Sequence, residues 1–377
     1  MVNFNGLIPF LCLIIFKCVT FALQEKISSV HSCLNDAKDI PNNRLNGRTL
    51  AGIIGFGWDD LRSIRTKPIF FEAFDECRAE PTGHYLIPDN IVAVPILKTQ
   101  IDKMANFFES FEYFKQEVSN VFTASASAGF SFLSASASFS KISQKTKENF
   151  AKYKSSLLQT KLNYEAFTLS QDSVGNLAAG FRGRIEEIAD AINRKLFYRA
   201  KYLSEVIIKE FGTHYISSAD IGAMVEQKTF IETKSSFSGA TSLQGIQFAA
   251  AVGFTNLFNG TGTLSASFSS SQTVSTQDIN ALTNLTKLSY FESQGGPDIN
   301  TILAGKANFS IDNIVPYRFD GDWLYQIVSK ENFPSLSYDT LFNIQNLLKN
   351  ATETYYERNT IQGCMDMNSL NFDFQVI

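Results

Sequence analysis

Few residues of this chain are placed to do covalent chemistry. Its three histidines, His31, His84 and His214, stand far apart. No serine sits in a Gly-x-Ser-x-Gly turn, and no His-Glu-x-x-His pair offers a zinc site. No Gly-rich loop ends in Lys-Ser or Lys-Thr to cradle phosphates. Aspartate and glutamate together number 37, but no spacing nominates two of them as the acid and base of a glycosidase. The inventory therefore predicts no catalytic residue, metal site, cofactor or small-molecule substrate. One histidine has a distinctive setting, Phe211-Gly212-Thr213-His214-Tyr215, with Gly222 following. Gly212 suits a positive φ where a helix hands over to a strand. His214 can satisfy backbone groups at that junction, and no base or nucleophile stands near it in sequence, so a structural role is expected.

The elements around this stretch follow from periodicity. Phe181, Ile185, Ile188, Ile192, Leu196, Leu203 and Ile207 define a long helical region running into it, and Met224 to Thr233 returns to strand. Upstream, residues 33 to 100 read as strands and loops, including the apolar run Ile91 to Leu97. Ile101, Met104, Phe108, Phe111, Val118 and Phe122 recur at helical spacing, and Phe150 to Leu169 reads as strand. Leu288 to Phe291 is a further strand, closed by Gly295-Gly296-Pro297, where Gly295 and Gly296 are hinge candidates. Asp339 to Tyr356 reads as a helix. Strands and helices without regular βαβ alternation predict an α+β fold.

At 377 residues and 44% hydrophobic content the chain can bury a sizeable core. A net charge of −4 argues against nucleic acid, and no basic cluster changes that view. Residues 1–22 read as a secretory signal, with the apolar run Leu7 to Phe16 and small residues near Ala22. Cys12 and Cys18 leave with it, so Cys33, Cys77 and Cys364 remain and one thiol lacks an internal partner. Asn259, Asn284, Asn308 and Asn350 head glycosylation sequons, which fits secretion. No later stretch reads as a transmembrane helix.

Two segments carry no charge at all, Ser119 to Ser140 and the 43 residues from Ser235 to Gln277. Both are rich in small polar residues, and both alternate. In the second, Ile246, Phe248, Ala250, Val252, Phe254 and Phe258 occupy even positions, and Leu264, Ala266 and Phe268 continue the phase beyond Asn259-Gly260. Period two gives each strand one apolar face, and Asn-Gly is a hairpin signal. In the first, Phe122, Phe130 and Phe132 are even, but Phe139 is odd. The phase flips near Leu133-Ser134. Each arm of the second segment is about a dozen residues, where a membrane barrel strand needs about nine to eleven. Alanine also favours helix, so these segments permit both states. A soluble Ser/Ala-rich sheet or a low-complexity linker is the plainer reading. A glycan on Asn259 would sit at a hairpin tip, so either that site stays bare or the tip lies elsewhere.

The motif from Phe211 to Gly222 resembles the signature of the membrane attack complex/perforin family, with Phe211 where Tyr or Trp is usual and Ala223 in place of a second glycine. Gly55-Phe56-Gly57-Trp58-Asp59-Asp60-Leu61-Arg62, Gly83 to Asp89, Gly363-Cys364 and Asn368 to Phe374 resemble the macrophage-expressed perforin-like group within it. The resemblance implies a bent, twisted antiparallel sheet over residues 33–362, flanked by two helical clusters that refold to β-hairpins. It implies a Cys33–Cys77 disulfide. It also implies a secreted protein that forms homo-oligomeric rings on target membranes for antimicrobial defence, including in phagosomal or endosomal compartments. Phe122, Phe130, Phe132 and Phe139 would face lipid in one hairpin, and Ile246, Phe248, Val252, Phe254, Phe258, Leu264 and Phe268 in the other. Residues 363–377 are then the start of a truncated downstream region whose anchor lies beyond Ile377. The rival expectations are a non-lytic secreted protein of the same fold, acting in binding, development or toxin delivery, and an enzyme.

Overall fold

A computed structural model describes residues 33–34, 45, 48–62, 64–114, 141–172, 176–232, 242–258, 274–304, 309–359, 363–364 and 369–371. The chain divides into two compact units, one of residues 1–52 with Glu72–Ala93, the other of Ile53–Phe71 with Val94–Ile377. The strands and helices, in chain order, are β1 (Phe56–Asp59), β2 (Ile64–Pro68), β3 (Ile91–Ile101), β4 (Asn106–Phe108), α1 (Lys141–Tyr153), β5 (Ser155–Gln171), α2 (Ala179–Asn193), α3 (Phe197–Phe211), β6 (His214–Glu232), α4 (Leu243–Asn256), α5 (Thr276–Leu285), β7 (Thr286–Gln294), α6 (Ile299–Leu303), β8 (Val315–Trp323) and α7 (Tyr338–Asn359).

The first unit packs Cys33, Leu45, Phe74 and Leu86 into a small core. Cys33 and Cys77 are disulfide-bonded, with Cα atoms 5.3 Å apart.

The second unit is organised on β6. Along one side β6 pairs antiparallel with β5, from Ser155↔Glu232 to Ser170↔Ser218. Elsewhere it pairs with β8 from His214↔Trp323 to Gly222↔Val315, and with β7 from Met224↔Gln294 to Ile231↔Thr286. So one long strand changes partner between Gly222 and Met224. The helical bundle follows from apolar stripes at three-to-four spacing. Phe181, Ile185 and Ile188 of α2, Leu203, Ile207 and Phe211 of α3, and Leu341, Ile344 and Leu348 of α7 share one core. Phe181 meets Phe211 edge-on at 5.1 Å, so the start of α2 lies beside the end of α3.

Several sequence expectations are corrected. The stretch from Ile101 is not one helix. Ile101 ends β3, Phe108 lies in β4, and only residues 111–114 turn helically before the described chain breaks off. The spacing misled because Phe108, Phe111 and Phe114 converge on Phe150 and Phe230 from separate short pieces, while Met104 points to solvent. Phe150 to Tyr153 belongs to α1, so the strand begins at Ser155. The helical region from Phe181 to Ile207 is two helices, broken at Arg194 to Leu196, and Leu196 is exposed. The strand expected from Met224 starts ten residues earlier, at His214, because β1 and β8 pair with its polar first half.

Candidate functional site

The signature stretch forms the junction from α3 to β6. Phe211 ends the helix in the bundle core, and its carbonyl accepts from the Thr66 hydroxyl at 2.7 Å. Gly212 caps the helix with φ 85° and ψ −170°, a region essentially confined to glycine. A Cβ there would lie 2.3 Å from the Trp58 carbonyl oxygen. Thr213 is fully buried; its N–H donates to Trp58 O at 2.9 Å, and its Oγ1 accepts from Asp60 N at 3.3 Å. His214 is fully buried, with Nδ1 2.9 Å from Thr213 Oγ1 and its ring 4.1 Å from that of Trp323. Its register partners are Trp58 and Trp323, the chain's two tryptophans. Burial pushes its pKa down from 6.5 to about 3, so the imidazole is neutral at physiological pH. Thr213 bonds the backbone of β1, and its hydroxyl meets the imidazole of His214. Tyr215 donates to Asp322 at 3.3 Å. The junction welds α3, β1, β6 and β8 together, and Thr213 and His214 at its centre are fully buried.

A second convergence lies where β6 changes partner. Gly222 pairs with Glu165 of β5 and Val315 of β8. A Cβ on Gly222 would sit 1.9 Å from the Tyr164 carbonyl oxygen. The β5–β6 register shifts between Glu165 and Phe167, and the β6–β8 register between Asp220 and Ile221. Gly295 and Gly296, with φ 63° and 70°, turn the chain away from β7 here. Gly296 N–H donates to Asn313 O at 2.6 Å. Three glycines and two irregularities thus coincide at one level of the sheet.

The second uncharged segment is helical where it is described. Ser242 caps α4, accepting from Gly245 N at 3.0 Å. Ile246, Ala250, Phe254 and Phe258 recur every four residues and are buried. Phe254 and Phe258 pack on Leu162, Ala223 and Val225 of β5 and β6, and Phe254 stacks on Phe291 of β7 at 6.4 Å. Gln247 holds the Ala105 carbonyl at 2.8 Å. Phe248 and Val252 are half-buried and Gly253 is exposed. Leu264 and Phe268, Asn259 and Asn308, and Phe122, Phe130, Phe132 and Phe139 of the first segment all lie outside the described residues. Asn284 on α5 and Asn350 on α7 are exposed.

A buried ion cluster was not anticipated. Lys228 Nζ lies 2.8 Å from Glu226 and 2.5 Å from Glu292, with 1% of its side chain exposed. Gln159 donates to Glu226 at 2.5 Å, and Lys145 of α1 reaches Glu292 at 3.5 Å. Burial alone would raise the Glu226 carboxyl, but the Lys228 ammonium overrides it and holds it below the usual range. Burial likewise opposes the Lys228 charge, and Glu226 and Glu292 outweigh it. The signal in sequence was opposite charges two apart in a strand, hence on one face. Among the described residues no helix is long and apolar enough to cross a membrane, and no group of three His, Cys, Asp or Glu side chains could hold a metal.

The antiparallel sheet on one long bent-register strand, with its glycine-rich partner change and signature junction, defines a perforin-type architecture. The family model for the MAC/Perforin domain matches residues 48–365, and the chain belongs to that family. The structure is similar to that of GNIP1Aa from Chromobacterium piscinae, at 12% identity and a TM-score of 0.48 over 81% of this chain. The chain spans about half of that protein, 55%. It is also similar to Astrotactin-2, a vertebrate-specific, perforin-like membrane protein involved in neuronal development. That match has 12% identity and a TM-score of 0.45, covering 81% of this chain and 99% of that one.

Proposed function

We propose that this protein is a secreted pore former of the macrophage-expressed perforin-like group. A leader over residues 1–22 directs it outward, and the domain over residues 33–362 does the work. Monomers associate edge to edge as a ring on a target membrane, and each contributes two β-hairpins to a large barrel that satisfies every backbone group within the bilayer. No enzymatic step is involved. The setting is antimicrobial defence, in extracellular or phagosomal space.

The observation that carries this reading is the double periodicity of α4. Its every-fourth residues bury the helix on β5, β6 and β7. Its every-second residues, Ile246, Phe248, Val252, Phe254 and Phe258, would form one apolar strand face. A soluble helix needs only the first pattern, and neither pattern includes a charge across the segment. The coincidence of Gly222, Gly295 and Gly296 beside α4 supplies a place for the sheet to bend as the helix departs.

A pair of arginine substitutions tests it. Thr255, the odd-position neighbour of Phe254, is buried and bonds Ala251 O at 2.8 Å, so it makes a poor control in this fold. Val252 and Gly253 are better matched, and a Cβ on Gly253 meets nothing within 4 Å. In the hairpin Val252 faces lipid, where Arg costs about 2–4 kcal/mol per subunit near the midplane, and Gly253 faces the lumen. Val252→Arg should abolish liposome leakage while Gly253→Arg preserves it, with thermal melts confirming both folds. Equal leakage from the two folded variants refutes the hairpin, and no leakage from the wild-type protein refutes the pore.

A further inference from the structure

We infer that the turn between α2 and α3 is a docking tip for an anionic lipid surface. Residues 193 to 199 are exposed without interruption, as are Lys201 and Tyr202. The apolar and aromatic side chains among them are unusually open: Leu196 is 44% exposed, Phe197 66%, Tyr198 94% and Tyr202 65%. Arg194, Lys195, Arg199 and Lys201 are interleaved with them, and no acidic residue occurs from Ala191 to Ser204. The tip therefore carries four positive charges in a chain whose net charge is −4. Arg194 is tied to Asp190 at 2.9 Å. Among the described residues no ion pair involves Lys195, Arg199 or Lys201.

The backbone presents these side chains rather than folding them away. Leu196 N–H donates to Ala191 O at 2.8 Å, and Lys195 N–H to Ile192 O at 2.9 Å. These are the two bonds of a Schellman cap, in which glycine usually takes the left-handed position and the next apolar residue folds back on the helix. Here Lys195 takes that position with φ 57°, and Leu196 points outward. The far end of the helix pair is fixed by the Phe181–Phe211 contact and by Arg184 on Glu210 at 3.2 Å. Fifteen-residue helices place the turn about 20 Å from that end.

Open Tyr and Phe beside cations suit a membrane interface, where rings sit at headgroup level and basic chains reach anionic lipid. Protein interfaces are depleted in lysine and pair their charges, which favours lipid over a protein partner. The inference rests on the membrane reading above for its partner and adds the lipid charge and the contact residues.

Flotation with vesicles of phosphatidylcholine, with and without phosphatidylserine, tests it. Lys195→Gln/Arg199→Gln/Lys201→Gln should weaken binding to the serine-containing vesicles about 100-fold, at about fivefold (~1 kcal/mol) per cation. Raised salt should weaken wild-type binding in the same direction. Phe197→Ser/Tyr198→Ser should weaken binding to both vesicle types. All five positions are exposed, and matching thermal melts verify the folds. Tip-dependent binding without wild-type leakage upholds this inference and sinks the pore. Unchanged binding by the tip variants, or no wild-type preference for phosphatidylserine, overturns the inference whatever the leakage. So does loss of self-association in solution with vesicle binding intact, since the surface would then meet protein.

Discussion

The ring of His214 lies 4.1 Å from that of Trp323, tilted by 33°, in a pocket from which water is excluded. The contact explains the motif in structural terms, since the imidazole is held neutral and packed rather than poised for proton transfer. A histidine with its pKa lowered to about 3 makes the fold acid-sensitive with a definite sign. Between the unfolded value of 6.5 and about 3, only the unfolded chain binds the proton. Stability is therefore full above that window and falls as pH drops through it, by roughly 2 kcal/mol near pH 5. His214→Gln should lower stability at neutral pH yet flatten its change between about pH 7 and pH 5, as read by denaturant titration. An unchanged slope would show that His214 is not the titrating group.

Gly222→Ala should be far more damaging than an ordinary strand substitution. Its methyl would meet the Tyr164 carbonyl oxygen at 1.9 Å and Tyr317 at 3.1 Å. The neighbouring strand would have to move, at ~3 kcal/mol or more. A melting temperature within a few degrees of wild type would contradict the tight approach.

Lys228→Met should destabilise by about 3–5 kcal/mol, because it leaves Glu226 buried without its cation and Glu292 with Lys145 alone. Adding Glu226→Gln should recover part of the loss. In the wild-type protein Glu226 has a lowered pKa, so its contribution is present at neutral pH and disappears as pH falls through the folded value. Denaturation curves of the single and double variants decide the matter. No recovery in the double variant would mean the damage is to packing.

Cys77→Ser opens a 44-residue separation, worth about 4 kcal/mol in the chain-entropy treatment. Partial proteolysis should then cut first within residues 33–52 and 72–93, with the sheet-bearing unit left intact. Resistance equal to wild type would show that the disulfide is dispensable for that unit.

Much was legible in the sequence because local pattern and burial agreed. The apolar stripes of α2, α3 and α7 lie in one core, Gly212 caps α3 where a glycine was expected, and Leu288 to Phe291 lies within β7. The stretch from Ile101 failed over its described part because Phe108, Phe111 and Phe114 are gathered by long-range contacts with Phe150 and Phe230, which no local period encodes. The ion cluster was legible only as alternating charges at Glu226 and Lys228. Their burial depends on Glu292 and Lys145 arriving from other elements. Composition determined that the segment from Ser235 to Gln277 could serve as either helix or strand, since alanine and small polar residues tolerate both. Only tertiary structure decided that α4 lies as a helix on the sheet, because the every-fourth set headed by Ile246 and Phe254 finds an apolar surface on β5, β6 and β7, while Phe248 and Val252, which belong only to the every-second set, stay half-buried.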